Sequence, residues 1–574
     1  MADASSSGPF LRADHRRTAL LSASLFALLA ALMVAAAGGG AVTVLGLRMS
    51  MRSPRGALWM AGGLALLWGA TAIRAGAVRR DIDAVGEALG RALPRLPSLL
   101  AVAMLIGSWW LGTASPAGAD ASGYLSQASL WAHWHLALPD VLARLPGWPD
   151  VPMASVPLGW RPALVPAAQV PTYAAGLPVL MAPLWALGGD AAARLVIVGA
   201  AASLVLVAGA LGRSSGGAVG GAIAAALMVA SPTVWHQSLG VMSDVPAAAA
   251  WALAWHGATR QHAGQTGALT ALAVLIRPNL APLAVLPVWA LTSWGHRRGA
   301  ALWVVMAGTG VAVLHWYWYG SPLQSGYGSA DDLFSAGYVT ANLGLYAGWM
   351  LEAEWPMLAA LALVAADAVG RARAGPRLPH TWPTLYFAVG VFAAYLIYAP
   401  FERWTYLRFL LPAWPLLAAA AGGAATRTLA PVTRPKAALA TLALVALLVA
   451  TGVWRARQLD VWAFTPLADR VGALAEQLRP QLAGRTLLVA GEQSGALRHL
   501  TGTPIIRWDL VETATLQRAL VAAREAGWQV WWVLDQSEEV LVRQRHAALS
   551  DRAIDRPADL AAGRLLETRA WRAP

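Results

Sequence analysis

Long stretches without charge recur through most of this chain and restrict it to a membrane fold. About 20 apolar residues are needed to cross a bilayer, and thirteen segments, several of them short, approach that length. Only 13% of the 574 residues are charged, whereas soluble domains carry about 25%. We therefore predict an all-α polytopic membrane protein and exclude an ordinary soluble enzyme and a disordered chain. The predicted spans cover residues 18–46, 57–77, 97–113, 192–212, 216–234, 245–260, 266–277, 280–294, 299–314, 351–368, 383–399, 408–426 and 436–453.

Composition divides the chain into three parts. Residues 1–96 hold a polar tail and two spans, and residues 97–453 hold the other spans with a long outer loop at 114–191. Loops of that length are usually functional, and its stretches 124–138 and 173–187 predict helices lying in the membrane interface. Residues 454–574 have no run long enough to span. Their pattern predicts a small α/β domain with strands at 486–490, 504–507 and 529–534 and helices at 516–526 and 538–548.

The arginines set the expected orientation, because cytoplasmic loops of membrane proteins are enriched in Lys and Arg. With the N-terminus inside, basic segments at 297–298, 371–377 and 427–436 fall in the cytoplasm, although the basic segment 47–56 falls outside. An odd number of spans then places the C-terminal domain outside. We predict a multi-pass protein of the cytoplasmic (inner) membrane, with a cytoplasmic N-terminus and an extracytoplasmic C-terminal domain. The protein has a net charge of +13, and basic membrane proteins usually carry this charge in their cytoplasmic loops. We therefore expect the lipid bilayer as a partner and no nucleic acid.

Asp120 is the strongest candidate for catalysis. It stands just outside a predicted span and is followed by Tyr124 and Gln127, one helical turn apart. A carboxylate there can take a proton from an attacking hydroxyl, and such general-base help contributes about 10²- to 10⁴-fold in rate. A solvated loop acid or a helix cap explains Asp120 equally well, because Asp is a common cap.

Four further charged residues fall at or near the same outer boundary. Asp244 begins a span in front of Pro246, where a helix cap is the favoured interpretation, although an acid there can also shape a shared pocket. Arg277, Arg403 and Arg408 are cations close to membrane depth, where charge is costly and marks function. Snorkelling to headgroups explains any single arginine. Arg403 and Arg408, only five residues apart, favour a phosphate site instead, since a guanidinium group binds phosphate bidentately.

Several short motifs keep one order and one predicted side of the membrane. They are Asp120 with Tyr124-Leu125-Ser126-Gln127-Ala128, Ser243-Asp244-Val245-Pro246, Ile276-Arg277-Pro278-Asn279, Tyr319-Gly320-Ser321-Pro322 and Tyr406-Leu407-Arg408-Phe409-Leu410-Leu411-Pro412. Together they resemble the GT-C glycosyltransferases of the family 39 type, which includes protein O-mannosyltransferases and lipid A aminoarabinose transferases. The resemblance covers roughly residues 97–453, so the first two spans are an N-terminal addition and the C-terminal domain is a variable part.

This resemblance implies a GT-C glycosyltransferase that moves a sugar from a polyprenyl-phosphate donor to a lipid, glycan or protein acceptor outside the membrane, with inversion. It implies Asp120 as general base and Arg408, with Arg403 or Arg277, as ligands of the donor phosphate. Asp244, Tyr124 and Gln127 would support the substrate or the loop.

Relatives often carry a second acid directly after the first, and Ala121 stands there in this chain. A single carboxylate is a poor divalent site, and His133 and His135 lack the spacing of a helical metal site. We therefore expect no metal and no cofactor.

A transporter or flippase for a lipid-linked or anionic solute is the alternative, since broken helices and buried arginines suit that class too. The odd span count, the long acidic loop and the outer domain favour the enzyme.

Overall fold

Helices make up most of the structure, a computed structural model that describes residues 8–44, 47–51, 53–374, 382–482, 484–547, 549 and 568–572. The polar tail in front of the first predicted span is already helical from Gly8, and residues 1–7 lie outside the described part. The helices up to residue 458 are α1 (Gly8–Ala37), α2 (Arg55–Arg74), α3 (Val78–Ala92), α4 (Leu96–Leu111), α5 (Gly118–Ala132), α6 (Gly176–Ala193), α7 (Leu195–Val229), α8 (Pro232–Leu239), α9 (Asp244–Thr259), α10 (Ala263–Ile276), α11 (Val285–Trp289), α12 (Trp294–Tyr319), α13 (Ala330–Leu333), α14 (Val339–Ala353), α15 (Trp355–Ala374), α16 (Trp382–Leu396), α17 (Trp414–Leu429) and α18 (Arg434–Gln458).

Each of the thirteen predicted spans overlaps a helix, which confirms the helical membrane fold but not thirteen crossings. Within the described residues, seven helices are long and apolar enough to cross a bilayer, and one further pair is bent by 108° between α14 and α15. The predicted span at 280–294 is broken. Its residues form the 3₁₀ helix Pro278–Ala284 and the short α11, because prolines in this segment remove backbone donors that a continuous helix needs.

Two of the predicted spans are the arms of α7, which reverses direction at a glycine pair. Gly217 has a φ of 59°, a left-handed conformation that favours glycine. A Cβ on Gly212 would lie 2.5 Å from the carbonyl oxygen of Gly220, whereas eight residues of straight helix extend about 12 Å. The chain therefore folds back into a helical hairpin, whose arms approach closely because both carry glycine at the contact.

The first predicted span, 18–46, is too long at its C-terminal end. Helix α1 stops at Ala37, since Gly38 and Gly39 both have positive φ. An antiparallel hairpin of β1 (Gly40–Val44) and β2 (Leu47–Met51) follows, and β-branched residues favour that conformation. The basic segment that departs from the orientation rule thus begins in a strand, and Arg52 lies outside the described residues.

The outer loop 114–191 is folded rather than extended. It contains α5 and most of α6, which correspond to the two predicted interfacial helices. It also contains a small antiparallel sheet that the sequence analysis missed, in the order β3-β5-β4. These strands are β3 (Leu138–Pro139), β4 (Trp160–Pro162) and β5 (Ala168–Pro171).

The C-terminal part is a small α/β domain, as predicted. The strand order is β7-β6-β8-β9, where β6 runs parallel to β7 and β8 and the unpredicted β9 runs antiparallel to β8. Apolar side chains of β6 and β8, among them Leu487 and Trp532, are fully buried. The predicted helix 538–548 is α22, and residue 548 lies outside the described part. The elements are α19 (Phe464–Leu478), β6 (Thr486–Ala490), α20 (Ser494–Thr501), β7 (Ile505–Arg507), α21 (Thr513–Glu525), β8 (Gln529–Asp535), α22 (Gln536–Arg545) and β9 (Thr568–Arg572).

This domain packs directly on the outer loop. His499 of α20 contacts Ser126 Oγ through Nδ1 at 3.1 Å and Asp190 Oδ2 through Nε2 at 2.9 Å. The backbone N–H of Leu158 donates to Ser494 Oγ at 3.2 Å. The loop and the C-terminal domain therefore lie on the same side of the helices.

Two of the three predicted basic cytoplasmic segments, 371–377 and 427–436, meet at the far end of α17. There Asp367 pairs with Arg371 at 2.9 Å and with Arg427 at 2.7 Å. The end of α15 and the end of α17 are thus held together on the side away from the outer loop. Arg377, which the same prediction included, lies outside the described residues.

Candidate active site

An ion pair joins the outer loop to the start of a membrane segment. Asp120 lies in the first turn of α5, and its Oδ2 accepts a hydrogen bond from Nη1 of Arg408 at 2.7 Å. The N-cap residue of α5 is Ala117, so Asp120 is not a cap, although a carboxylate in the first turn is favoured by the helix dipole. Its side chain remains 27% exposed, which leaves the carboxylate accessible.

A second ion pair lies directly behind the first. Asp244 Oδ1 contacts Arg277 Nη2 at 2.7 Å, and Asp244 Oδ2 lies 3.9 Å from Arg408 Nη1. The side chain of Asp244 is only 1% exposed, and a charge buried so deeply needs a partner. The cap interpretation fails here, because the N-cap of α9 is Ser243. Four charges thus alternate in sign from Asp120 through Arg408 and Asp244 to Arg277; we call these four residues the charge cluster.

Neutral hydroxyl groups fix the inner end of the charge cluster. Tyr124 donates to Ser243 Oγ at 2.9 Å, and Arg277 Nε donates to the same oxygen at 3.3 Å. Arg277 Nη1 and Asn279 Nδ2 both donate to the hydroxyl of Tyr395, at 3.3 and 2.7 Å. Arg277 is therefore held on three sides, which gives its guanidinium one orientation.

Aromatic rings form one wall of the cluster. The guanidinium carbon of Arg408 lies 5.0 Å from the ring centre of Tyr406 and 5.4 Å from that of Phe409. The guanidinium carbon of Arg277 lies 5.3 Å from the centre of the same Phe409 ring. Cation–π attraction at such distances is worth about 0.5–2 kcal/mol, so Phe409 helps to hold two like charges near each other.

A second aromatic group covers the Asp120 side. The Tyr173 hydroxyl lies close enough to the Asp120 carboxylate to lower the pKa of that carboxyl, and the Tyr173 ring centre lies 4.8 Å from that of Tyr124 and 5.8 Å from that of Tyr327. Burial, with the charge of Asp120 adding to it, raises the pKa of Tyr173. Its hydroxyl therefore stays protonated and donates to the carboxylate. A side chain at Gly123 would collide with the Tyr173 ring. A glycine is therefore needed at this position for α5 to pack against Tyr173.

The charge state of Asp120 follows from two opposing effects. Burial alone raises the pKa of this carboxyl, but the charge and hydrogen bond of Arg408 outweigh it, and Tyr173 and Arg277 act in the same direction. The net pKa lies below the ordinary value of an aspartate. Asp120 is therefore ionised throughout the neutral range, which a proton acceptor requires.

Two residues named from the sequence stand apart from the charge cluster. Arg403 is exposed at the start of the 3₁₀ helix Trp404–Ala413, and its guanidinium makes no hydrogen bond or ion pair with any described residue. Gln127 is fully buried on α5, and neither end of its amide has a hydrogen-bond partner in the described part of the chain. Tyr173, Tyr395 and Phe409 were not predicted as site residues, although Tyr173 begins the predicted interfacial stretch 173–187 and Phe409 lies in the motif 406–412.

The membrane helices, the acidic first outer loop and the packed α/β domain together define the GT-C fold that the sequence predicted. The chain is similar in fold to crystal structures of ArnT from Cupriavidus metallidurans. These are the form bound to undecaprenyl phosphate, at 12% identity and a TM-score of 0.50, and the apo form, at 14% identity and a TM-score of 0.50. Each match covers 78% of this chain and 94% of the other. No family model and no curated protein sequence matches this chain.

Proposed function

We propose that this chain is a membrane glycosyltransferase that transfers a sugar from a polyprenyl-phosphate donor to an acceptor hydroxyl with inversion. The charge cluster carries this proposal, because it places an ionised, accessible carboxylate in contact with a guanidinium group. The first can accept a proton and the second can bind a phosphate. The fold shared with ArnT, which was crystallised with undecaprenyl phosphate, supports a lipid-phosphate donor. The acceptor is a lipid, a glycan or a protein.

In this reaction the acceptor oxygen attacks the anomeric carbon in one displacement. The new bond forms on the face opposite the leaving group, so the configuration inverts. The bond between the anomeric carbon and the phosphate oxygen breaks, and its electron pair leaves with the polyprenyl phosphate. The hydroxyl proton passes to Asp120, whose 27% exposure gives an acceptor access to it. General-base help of this kind contributes about 10²- to 10⁴-fold.

Arg408 and Arg277 hold the departing phosphate in this scheme. Both guanidinium groups face Phe409, and the negative charge that develops on the leaving oxygen strengthens their interaction with it. A phosphate that binds Arg408 also competes with Asp120 for the same guanidinium. Donor binding therefore weakens the Asp120–Arg408 ion pair and makes Asp120 a stronger base only when the donor is present.

Asp244 and Tyr124 support these groups rather than react. Asp244 balances both guanidinium groups from behind, and Tyr124 ties α5 to Ser243 at the start of α9. The outer loop and the membrane segments are thus joined at two points, one through Tyr124 and one through Asp120. Gln127, buried on the same helix, serves the packing of the loop in this scheme, and Arg403 would meet the phosphate only in the donor complex.

The proposal is tested with purified protein and a radiolabelled polyprenyl-phosphate sugar. In detergent, where no gradient exists, we expect label to move from the donor to an acceptor in a membrane extract, and we expect the Asp120→Asn variant to transfer it at least about 10²-fold more slowly. Label that crosses the bilayer of proteoliposomes without leaving its lipid carrier would instead identify a transporter or flippase.

The acid side of the pH profile provides a further prediction. The carboxylate is the active form of Asp120, so activity is full above its pKa and falls as the pH drops through it. Because that pKa lies below the ordinary value of about 3.9, we expect kcat/KM, which reports the free enzyme, to hold from pH 7 down to about pH 5. In Arg408→Ala, burial still raises the pKa of Asp120 but the arginine that lowered it is gone. The acid limb of the residual activity therefore shifts to higher pH. Circular dichroism at each pH separates this titration from acid unfolding, and a parental acid limb well above pH 5 would contradict the assignment.

The orientation of the site is a proposal of its own. We propose that the outer loop and the C-terminal domain lie outside the cytoplasmic membrane and that the N-terminus lies inside. Arg371 and Arg427, which both pair with Asp367 at the far end of α17, support this orientation, since basic groups favour the cytoplasmic side. A reporter that is active only outside the membrane, fused after residue 574, should be active. A fused reporter that works only in the cytoplasm should be silent, and the reverse pattern would overturn the orientation.

A further inference from the structure

A cavity of about 540 Å³ lies where the C-terminal domain meets the outer loop. On the domain side, helix α19 forms one wall and the segments that follow two strands form the other. Gln493 comes after β6, and Asp535, Gln536 and Ser537 stand at the end of β8 and the start of α22. The cavity thus lies outside the carboxyl ends of two neighbouring parallel strands, and it is separate from the charge cluster.

The strand order makes this position a specific one. From β6 the chain passes through α20 to β7 on one side, and then through α21 to β8 on the other side of β6. The loops after β6 and β8 therefore diverge and leave a crevice between them. Open α/β sheets bind ligands at such switch points, and the cavity volume falls within the range of about 300–1,000 Å³ that is usual for small-molecule sites.

The lining groups define the kind of ligand. Arg470 of α19 contributes one cation and Asp535 one carboxylate, so the charges balance. Gln493 Nε2 donates to Asp535 Oδ2 at 3.3 Å, whereas Gln493 Oε1 and Arg470 Nε are buried without a hydrogen-bond partner in the described residues. Leaving such groups unpaired costs about 1–3 kcal/mol each. Val471 and Leu474 add an aliphatic surface. Balanced charge, open donors and acceptors and an aliphatic wall suit a neutral, hydroxyl-rich ring.

The cavity is also close to the proposed base. Ala117, the residue just before α5, lines it and stands three residues before Asp120. Three residues of helix correspond to about 4.5 Å of rise. The edge of the cavity at Ala117 is therefore about one helical turn from the backbone of Asp120.

We propose that this switch-point cavity binds a neutral carbohydrate portion of the acceptor and so presents its hydroxyl toward Asp120. Carbohydrate binding follows from the cavity itself, whereas the assignment of this carbohydrate to the acceptor rests on the proposed function. Two measurements keep them distinguishable.

The first measurement is direct binding without turnover. Purified full-length protein is mixed with a panel of neutral hexose trisaccharides, and binding is followed by saturation-transfer NMR. We expect at least one trisaccharide to bind the parental chain and to lose at least 10-fold in affinity with Ser537→Trp, which fills the cavity. Val521→Trp is the matched control, because Val521 is 44% exposed on α21 of the same domain. No binding by the parental chain, or equal binding by Ser537→Trp, would overturn the inference.

The second measurement divides the kinetics of transfer. With radiolabelled donor and a membrane extract as the source of acceptors, Ser537→Trp should raise the apparent KM for the extract about 10-fold while the KM for the donor changes less than twofold. An unchanged KM for the extract, with active parental protein, would remove the acceptor role and leave the proposed function intact. Trisaccharide binding with no transfer by the parental chain would contradict the proposed function and leave the carbohydrate site intact. Equal thermal stability of the two tryptophan variants excludes unfolding as the cause.

Discussion

Asp120→Asn should reduce sugar transfer by about 10²- to 10⁴-fold, the contribution of a general base. The amide keeps the size of the carboxylate and one oxygen that can accept from Arg408, so the contact between α5 and the membrane segment persists in weakened form. It cannot take the hydroxyl proton near neutral pH. The measurement is the initial rate of label transfer by purified protein at saturating donor.

Stability and donor binding are the controls for this variant. We expect the thermal midpoint of Asp120→Asn to stay close to the parental value and the lipid donor to bind at least as well, because removal of the carboxylate frees Arg408 for phosphate. Asp190→Asn is a matched change of another half-exposed acid of the same outer loop, one that contacts the C-terminal domain instead of the charge cluster. Transfer by Asp120→Asn at or near the parental rate would refute the base assignment, and with it the main support for the enzyme.

Arg408→Ala should lower kcat by about 10²- to 10³-fold, which is the effect of removing one well-placed donor to developing negative charge. This loss exceeds that of an exposed surface pair, because the Arg408 side chain is only 14% exposed and lies between two carboxylates. The variant also leaves Asp244 with Arg277 as its remaining cation. We therefore expect a lower thermal midpoint in addition, and activity is compared at a temperature where the variant is fully folded.

Arg403→Ala tests whether an arginine must belong to the charge cluster, or only lie near it in the sequence, to affect activity. Arg403 is a nearby arginine in the same outer segment, yet it is exposed and stands apart from the charge cluster. We expect its substitution to cost much less activity than Arg408→Ala. Equal losses in both variants would mean that general attraction of the lipid phosphate, and not the geometry of the cluster, explains the role of these arginines.

The charged part of the candidate site could be predicted from the sequence, because charge near membrane depth is rare and has few explanations. Asp120, Asp244, Arg277 and Arg408 were all named, and the structure brings them together. The pairing itself could not be predicted, since Arg408 follows Asp120 by 288 residues. The aromatic partners could not be found either: in a chain with 29 Trp, 11 Tyr and 8 Phe, nothing marks Tyr173 or Tyr395 as different from an interfacial residue.

Hydropathy predicted the helices well and the short strands poorly. A membrane helix satisfies its own backbone, so its apolar run is a local signal. The strands β3, β4 and β5 have two to four residues each, and their pairing depends on how the outer loop folds over α5. The bend between α14 and α15 has a local signal that hydropathy does not include, because Glu354 stands at the break and Pro356 follows it in the first turn of α15. Strands β6 and β8 were found because they are continuous buried apolar runs between helices.

The contacts of α5 also impose an order on the assembly of the site during synthesis. The helix that carries Asp120 emerges from the ribosome early, but Arg408 and His499, which contact Asp120 and Ser126, follow 288 and 373 residues later. The last of these arrives only with the C-terminal domain. A nascent or truncated chain thus holds α5 without these partners, and the completed protein acquires the full set of α5 contacts only after nearly the whole chain has been made and inserted.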